Sequence, residues 1–348
     1  MIPRRALLPL AAAALAAPAL VRPAHAQAVT LRLHHFLPPV ANVHRYFLMP
    51  WARKVEAESN GALKVQIFPS MQLGGAPPQL YDQAKDGVAD IVWTLPGSTP
   101  GRFPKIEVFE LPFVAHKRGV PNAKAVQEFY QTHLQEEFGE VHPICVWAHD
   151  GGTIHAKREV RRMEDMRGLK LRFPTRQAGE ALRALGASPI GMPVPQVPEA
   201  LSQGVIDGAV VPWEVVPSIR LAELVRFHTE IPGTPTLYTA TFILAMNKAR
   251  YAGLPAELRG VIDANSGLPT AELAGRVWDE QGPPVEAAVR RRGNQIITLS
   301  QAETERWQAA TLPVVEAWIA ASGERGFDGA ALLADARGLV AKYGQGVA

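Results

Sequence analysis

The feature that most constrains the fold is a change of hydrophobic period near the start of the chain. Val29-Thr30-Leu31-Arg32-Leu33 alternates apolar and polar residues with period two, the pattern of a strand with one buried face. From His44 to Asn60 the period changes: Phe47, Trp51 and Val55 recur at i, i+4, i+8 on one helical face, and Gly61 supplies the stop. Leu63-Lys64-Val65-Gln66-Ile67 then alternates again. A strand, a helix and a strand of these lengths form a βαβ unit, which implies parallel strands joined by a right-handed crossover.

The alternation continues. Asp90–Trp93, Pro143–Trp147, Leu169–Phe173, Ile206–Val211 and Tyr238–Met246 read as strands; Gln79–Asp86, Pro121–Phe138, Gln177–Leu185 and Gln196–Gln203 read as helices between them. From Pro255 onward the pattern is helical, with breaks expected at Gly267, Gly282-Pro283-Pro284 and Gly293. Two stretches echo each other at identical spacing: Gln79-Leu80 to Gly87-Val88-Ala89-Asp90, and Gln196-Val197 to Gly204-Val205-Ile206-Asp207. Each reads as a short helix, a left-handed glycine at its C-cap and an Asp that opens a strand. With 348 residues available, the echo points to two similar α/β lobes.

The first 26 residues stand apart. Arg4 and Arg5 precede an apolar run from Leu7 to Leu20, and Ala24-His25-Ala26 offers a small-x-small cleavage site. This reads as a cleaved secretory signal that leaves a free-floating periplasmic protein, with both the Sec and the twin-arginine routes open. The segment carries three of the 36 basic side chains and no acid, leaving 36 − 3 = 33 basic against 33 acidic groups, so the mature net charge is zero. Nothing electrostatic invites nucleic acid. Cys145 is the single cysteine, so no intramolecular disulfide forms and no lipid-anchor acceptor stands near the cleavage site. In the apolar run Ile144–Trp147 it reads as a buried, inert thiol.

The residues then take on a known form. Gly87–Ile91, Arg102-Phe103-Pro104 and Leu111-Pro112-Phe113 are followed by Glu164–Pro174, Gly186–Pro189 and Glu199–Gly208, with Met246-Asn247 and Leu254-Pro255 after them. In this order they resemble the binding proteins of tripartite ATP-independent periplasmic (TRAP) transporters, of the organic-acid or C4-dicarboxylate-binding type. The resemblance implies a two-lobed clamshell: each lobe a mostly parallel sheet flanked by helices, with a long helix spanning both. It puts lobe I at 27–149 and 240–280, and lobe II at 150–239 and 281–348. It also implies a periplasmic receptor that delivers a small carboxylate to a small and a large membrane subunit; no cofactor, metal ligand or catalytic residue is assigned. In the family, the residue matching Arg172 pairs with the ligand carboxylate.

The local pattern agrees with that role. Leu169, Leu171 and Phe173 alternate with Lys170 and Arg172, and Pro174 ends the strand. Strand ends of open α/β sheets are where ligands bind, and a guanidinium offers paired donors that match two carboxylate oxygens. Trp93 and Trp213, which end the two echoed segments, are expected as opposite cleft walls, with Phe36 beside them. Glu214 and the glycine loop at Gly152 complete the candidate site. Sialic-acid-binding members carry a second Arg where this chain has Gly152 and an Asn where Val211 stands, so a sugar acid fits poorly. Keto-acid-binding members place a cation at a Glu-Trp pair; here the order is Trp213-Glu214, which leaves a cation beside the ligand open without assigning one. With Val194 and Val211 at the cleft, the lining favours a small or aromatic monocarboxylate.

Other chemistries lack their signatures. His34 and His35 point to opposite faces of one strand, and no histidine pair has helical zinc spacing. Ser188 sits in Gly-Ala-Ser-Pro-Ile rather than a nucleophile elbow, and neither a phosphate loop nor a dinucleotide fingerprint occurs. The alternatives carried forward are a binding protein of another uptake or sensing system, and an exported hydrolase or lyase acting on an organic acid.

Overall fold

The protein is described by a computed structural model covering residues 28–347; the export segment expected at 1–26 lies outside the described residues. The first βαβ unit forms where the periods change. β1 (Val29–His34) and β2 (Leu63–Phe68) pair in parallel from Val29↔Leu63 to His34↔Phe68, joined by α1 (Met49–Glu58). Leu31 and Leu33 face inward with Phe47, Trp51 and Val55, all fully or almost fully buried. α2 (Leu80–Lys85), β3 (Ile91–Thr94), α3 (Gly119–Phe129) and β4 (Val141–Ala148) follow. The chain then crosses to β5 (Thr153–Ala156), β6 (Lys170–Phe173), α4 (Arg176–Ala184), β7 (Ser188–Gly191), α5 (Val197–Ser202), β8 (Gly208–Val211), α6 (Leu221–Leu224) and β9 (Phe227–Glu230). It returns through β10 (Thr241–Asn247), α7 (Lys248–Ala252) and α8 (Ala256–Ala264). α9 (Leu268–Arg291), β11 (Gln295–Thr298), α10 (Gln301–Glu324) and α11 (Gly329–Gly344) complete the chain.

Two sheets result, ordered β2-β1-β3-β10-β4 and β11-β9-β5-β8-β6-β7. Among the described strands each sheet holds a single reversed member: β10 runs against β3 and β4, and β5 runs against β8 and β9. These are the strands that enter each sheet from the other one. A chain that leaves one lobe at the carboxyl ends of its strands must enter the next lobe from that same side, so its first strand there runs backwards.

The echoed segments are equivalent in three dimensions. Gly87 and Gly204 both take left-handed φ, +76° and +73°. Asp90 exchanges backbone and side-chain hydrogen bonds with Arg32 of β1, as Asp207 does with Lys170 of β6. This equates β1 with β6, so Arg172 in the second sheet stands where His34 stands in the first.

Two expectations need correction. Gly282-Pro283-Pro284 does not break the tail, because α9 runs through it. The helix packs on α3 and β4, then on the turn after β8 and on β11, so it spans both sheets with the proline pair along the way. Two missing N–H donors cost hydrogen bonds, but packing on both sides holds the axis. β5, β7, β9 and β11 were not among the expected strands; β7 carries Pro189 and Gly191, both disfavoured in strands. The last two helices diverge: α10 packs on α4 of the second half, whereas α11 lies along α3 of the first.

Candidate functional site

The carboxyl ends of β1, β3, β6, β7 and β8 converge with the amino end of β10 on one cavity of about 340 Å³. Phe36 follows β1, and its ring stacks on Trp93 of β3 at 4.6 Å between centroids. Phe242 of β10 lies 5.6 Å from Trp93, and Leu95, Val194, Val211 and Val215 extend the apolar lining. The lobes meet around this space. A Cβ built on Gly97 would come within 2.5 Å of Thr175 Cγ2 across the cleft, so only a glycine allows that approach. Gln177 Nε2 of α4 donates to Glu107 Oε2 at 2.7 Å, a second bridge.

Arg172 enters this apolar space from β6, held in register between Ile190 of β7 and Ala209 of β8. It is 4% exposed. Nε donates to Met192 O at 2.9 Å and Nη1 to Val210 O at 3.1 Å, which fixes the guanidinium plane. Among the described residues it forms no ion pair, and Nη2 has no partner. Burial pushes the guanidinium down to about 10, with nearby Tyr238 opposing that shift. An unpaired buried cation is costly, and an anion brought against the free Nη2 would offset that cost.

Glu214, in the turn after β8, also lines the cavity and is 2% exposed. Its Oε1 accepts from Val43 N–H at 3.0 Å and its carbonyl from Asn42 Nδ2 at 3.0 Å, tying the second sheet to the loop after β1. Burial pushes its carboxyl up to about 8, so it sits there as a neutral acid.

Comparison with known proteins assigns this architecture. The profile described as bacterial extracellular solute-binding protein, family 7, matches residues 33–321. A TRAP solute-binding protein from Rhodoferax ferrireducens, solved in complex with copurified benzoate, is 46% identical. The match covers 92% of this chain and 100% of that one, at a TM-score of 0.89. The chain belongs to this family. A marine-metagenome TRAP solute-binding protein described as specific for aromatic acid ligands, solved with 3-hydroxybenzoate, is 45% identical over 91% of this chain and 99% of its own, at TM-score 0.89. A Bordetella bronchiseptica TRAP protein with bound (R)- and (S)-mandelate is 30% identical over 90% and 99%, at TM-score 0.83. The TRAP fold is thus the two-sheet clamshell seen here, and a member of this family is a solute receptor rather than an enzyme. No helix of the described residues is long and apolar enough to cross a membrane.

Within this TRAP receptor, Arg172, Trp93, Phe36 and Glu214 come together on the cavity wall, while Trp213 and Gly152 lie elsewhere. Trp213 faces a neighbouring cleft: its Nε1 donates to Glu230 Oε1 at 2.8 Å, and its ring packs edge-on against His155. In the tight turn Trp213–Val215, Glu214 and Val215 reach the cavity while Trp213 points to the other side. Gly152 lines that same cleft, behind Tyr238, where a Cβ would overlap the tyrosine ring.

The histidines pair with neighbours. His34 Nδ1 bonds Gln83 Oε1 at 2.7 Å, and His35 Nε2 bonds His44 Nδ1 at 2.9 Å. His155 and His228 meet through their Nδ1 atoms at 2.6 Å. Cys145 is fully buried and its thiol is raised by burial. Tyr238, Phe242 and Met192 join the cavity without having stood out in the sequence. The first two flank the start of the reversed strand, and a period-two pattern does not say which end of a strand faces a ligand.

Proposed function

We propose that this receptor captures a small aromatic monocarboxylate between its lobes, holding the carboxylate on Arg172 and the ring among Phe36, Trp93 and Phe242. It then presents the closed complex to the small and large membrane subunits of a TRAP transporter. The observation that carries this reading is Arg172: a buried guanidinium whose Nη2 has no partner and which has no counter-ion among the described residues, in an otherwise mainly apolar cavity. Ligands seen in the similar proteins, benzoate, 3-hydroxybenzoate and mandelate, all pair one carboxylate with an aromatic ring. A C4-dicarboxylate would need a second buried cation, and Arg176, the other arginine on the wall, is exposed.

In this reading residues 1–26 are a cleaved export signal that delivers the receptor to the periplasm. The hinge comprises the crossings 149–152 and 231–240 together with α9. The bonds Val43–Glu214 and Gln177–Glu107 belong to the closed form, and α11 travels with lobe I. A ligand that binds only the folded protein must raise its melting temperature. In a thermal-shift screen, benzoate-type acids should stabilise the protein, while succinate, malate and sialic acid should leave it unchanged. Stabilisation by the dicarboxylates alone would overturn the aromatic assignment.

A further inference from the structure

A second polar group faces the cavity, and one of its two ring nitrogens is committed to the backbone. His149 directly follows β4, where the chain leaves the first lobe, is 1% exposed and lines the cavity. Its backbone is pinned on both sides: N–H donates to Ala240 O at 3.3 Å, and the carbonyl accepts from Asn122 Nδ2 at 2.7 Å and Thr239 Oγ1 at 2.8 Å. Its ring Nδ1 lies 2.5 Å from Asp150 O. A carbonyl oxygen can only accept, so Nδ1 carries the hydrogen, and in the neutral ring Nε2 bears the lone pair. Nε2 has no partner among the described residues.

We infer that His149 is the second recognition point of this cavity, and that its Nε2 accepts a hydrogen bond from a hydroxyl on the ligand. The inference rests on the carboxylate reading of Arg172 and refines it: the solute is a hydroxyl-bearing aromatic carboxylate. The acid group anchors to the second lobe, and the hydroxyl reports to the first. A ligand without the hydroxyl displaces water from Nε2 and leaves a buried acceptor unpaired, so the site discriminates against it. Glu214 Oε2 is the competing partner on the same wall, because only Oε1 is engaged, by Val43.

Titration calorimetry separates these cases. Wild type is titrated with benzoate, with 3- and 4-hydroxybenzoate, and with 3- and 4-methylbenzoate, whose methyl group matches the hydroxyl in size but cannot donate. The better hydroxy acid should bind about tenfold more tightly than benzoate and than its methyl counterpart. His149→Phe should bring that ratio close to one. His149→Gln, which keeps an acceptor near the same place, should recover part of the preference. Equal affinities in wild type, or a preference that survives in His149→Phe and disappears in Glu214→Gln, would overturn the assignment to His149 and leave the Arg172 reading standing. Binding of none of these acids by wild type would remove both. Where His149→Phe fails to fold, ¹⁵N spectra of wild type decide instead. The Nε2 resonance should move with the hydroxy acid and stay in place with benzoate; identical spectra in the two complexes would rule the contact out.

Discussion

The ring of Tyr238 occupies the space that any side chain at residue 152 would need, since a Cβ on Gly152 would overlap its Cε1 and Cζ. The glycine is therefore required by packing, and its contribution to the site is indirect. Tyr238 is 2% exposed and lines the cavity, so a residue pushing from behind has one direction in which to move it: into the ligand space. Gly152→Ala should lower stability by about 1–3 kcal/mol, the usual cost of overpacking, and should weaken ligand binding as well. Adding Tyr238→Ala to that variant should recover part of the stability loss, because the two sites are in contact and their effects do not add. Denaturant melts of the two single variants and the double variant test this; strict additivity would show that the clash is absorbed elsewhere.

Arg172→Ala should weaken carboxylate binding by roughly 30-fold to several thousand-fold. This corresponds to about 2–5 kcal/mol for removing one partner of a buried, hydrogen-bonded charge pair. Arg172→Lys should restore little, since an ammonium keeps the charge but loses both the fork and the two bonds to Met192 O and Val210 O. Lys170, two residues earlier on the same strand, is exposed, and Lys170→Ala should change affinity by less than about threefold. Calorimetry on the three variants, with circular dichroism as a folding control, provides the comparison. Wild-type affinity in a folded Arg172→Ala protein would refute the clamp.

Glu214 predicts a pH dependence. Burial, with the Asp150 carboxyl adding to it, raises its folded value from 4.5 to about 8, so between those values the folded protein holds a proton that the unfolded chain has released. Stability contributed in this way is present at low pH and falls as pH rises through the window, by up to ~1.4 kcal/mol per unit. Glu110 and Glu137, each raised to about 7 mainly by burial, push in the same direction. Glu214→Gln keeps an acceptor for the Val43 amide and cannot ionise. Its melting temperature should therefore gain on wild type as pH rises from 5 to 8, and a constant offset across that range would place Glu214 outside the titration.

The sequence by itself determined the secondary structure of the first lobe, the twofold repetition and the place of Arg172 at the carboxyl end of β6. Periods two and 3.6 are local properties of neighbouring side chains, so Leu31, Leu33, Phe47 and Trp51 announce their burial without knowledge of the rest. The glycines at 87 and 204 announce their positive φ because helix C-caps favour a residue without a Cβ. Arg172 was legible because a strand that alternates and then stops at a proline fixes both the side and the end of the sheet at which the charge emerges. Tertiary structure decided everything that depends on how distant segments meet. Trp213 was expected opposite Trp93, yet it turns away from the cavity because a tight turn carries it, and the residue in register with Trp93 in the echo is Val210 of β8. The prolines of α9 did not end the helix, because two sheets hold it from either side. The place of His149 on the cavity wall, with Nε2 unpartnered among the described residues, depends on bonds with Ala240, Asn122, Thr239 and Asp150, three of which are distant in sequence. No local pattern encodes such a convergence; it exists only once the strands from both lobes are folded against each other.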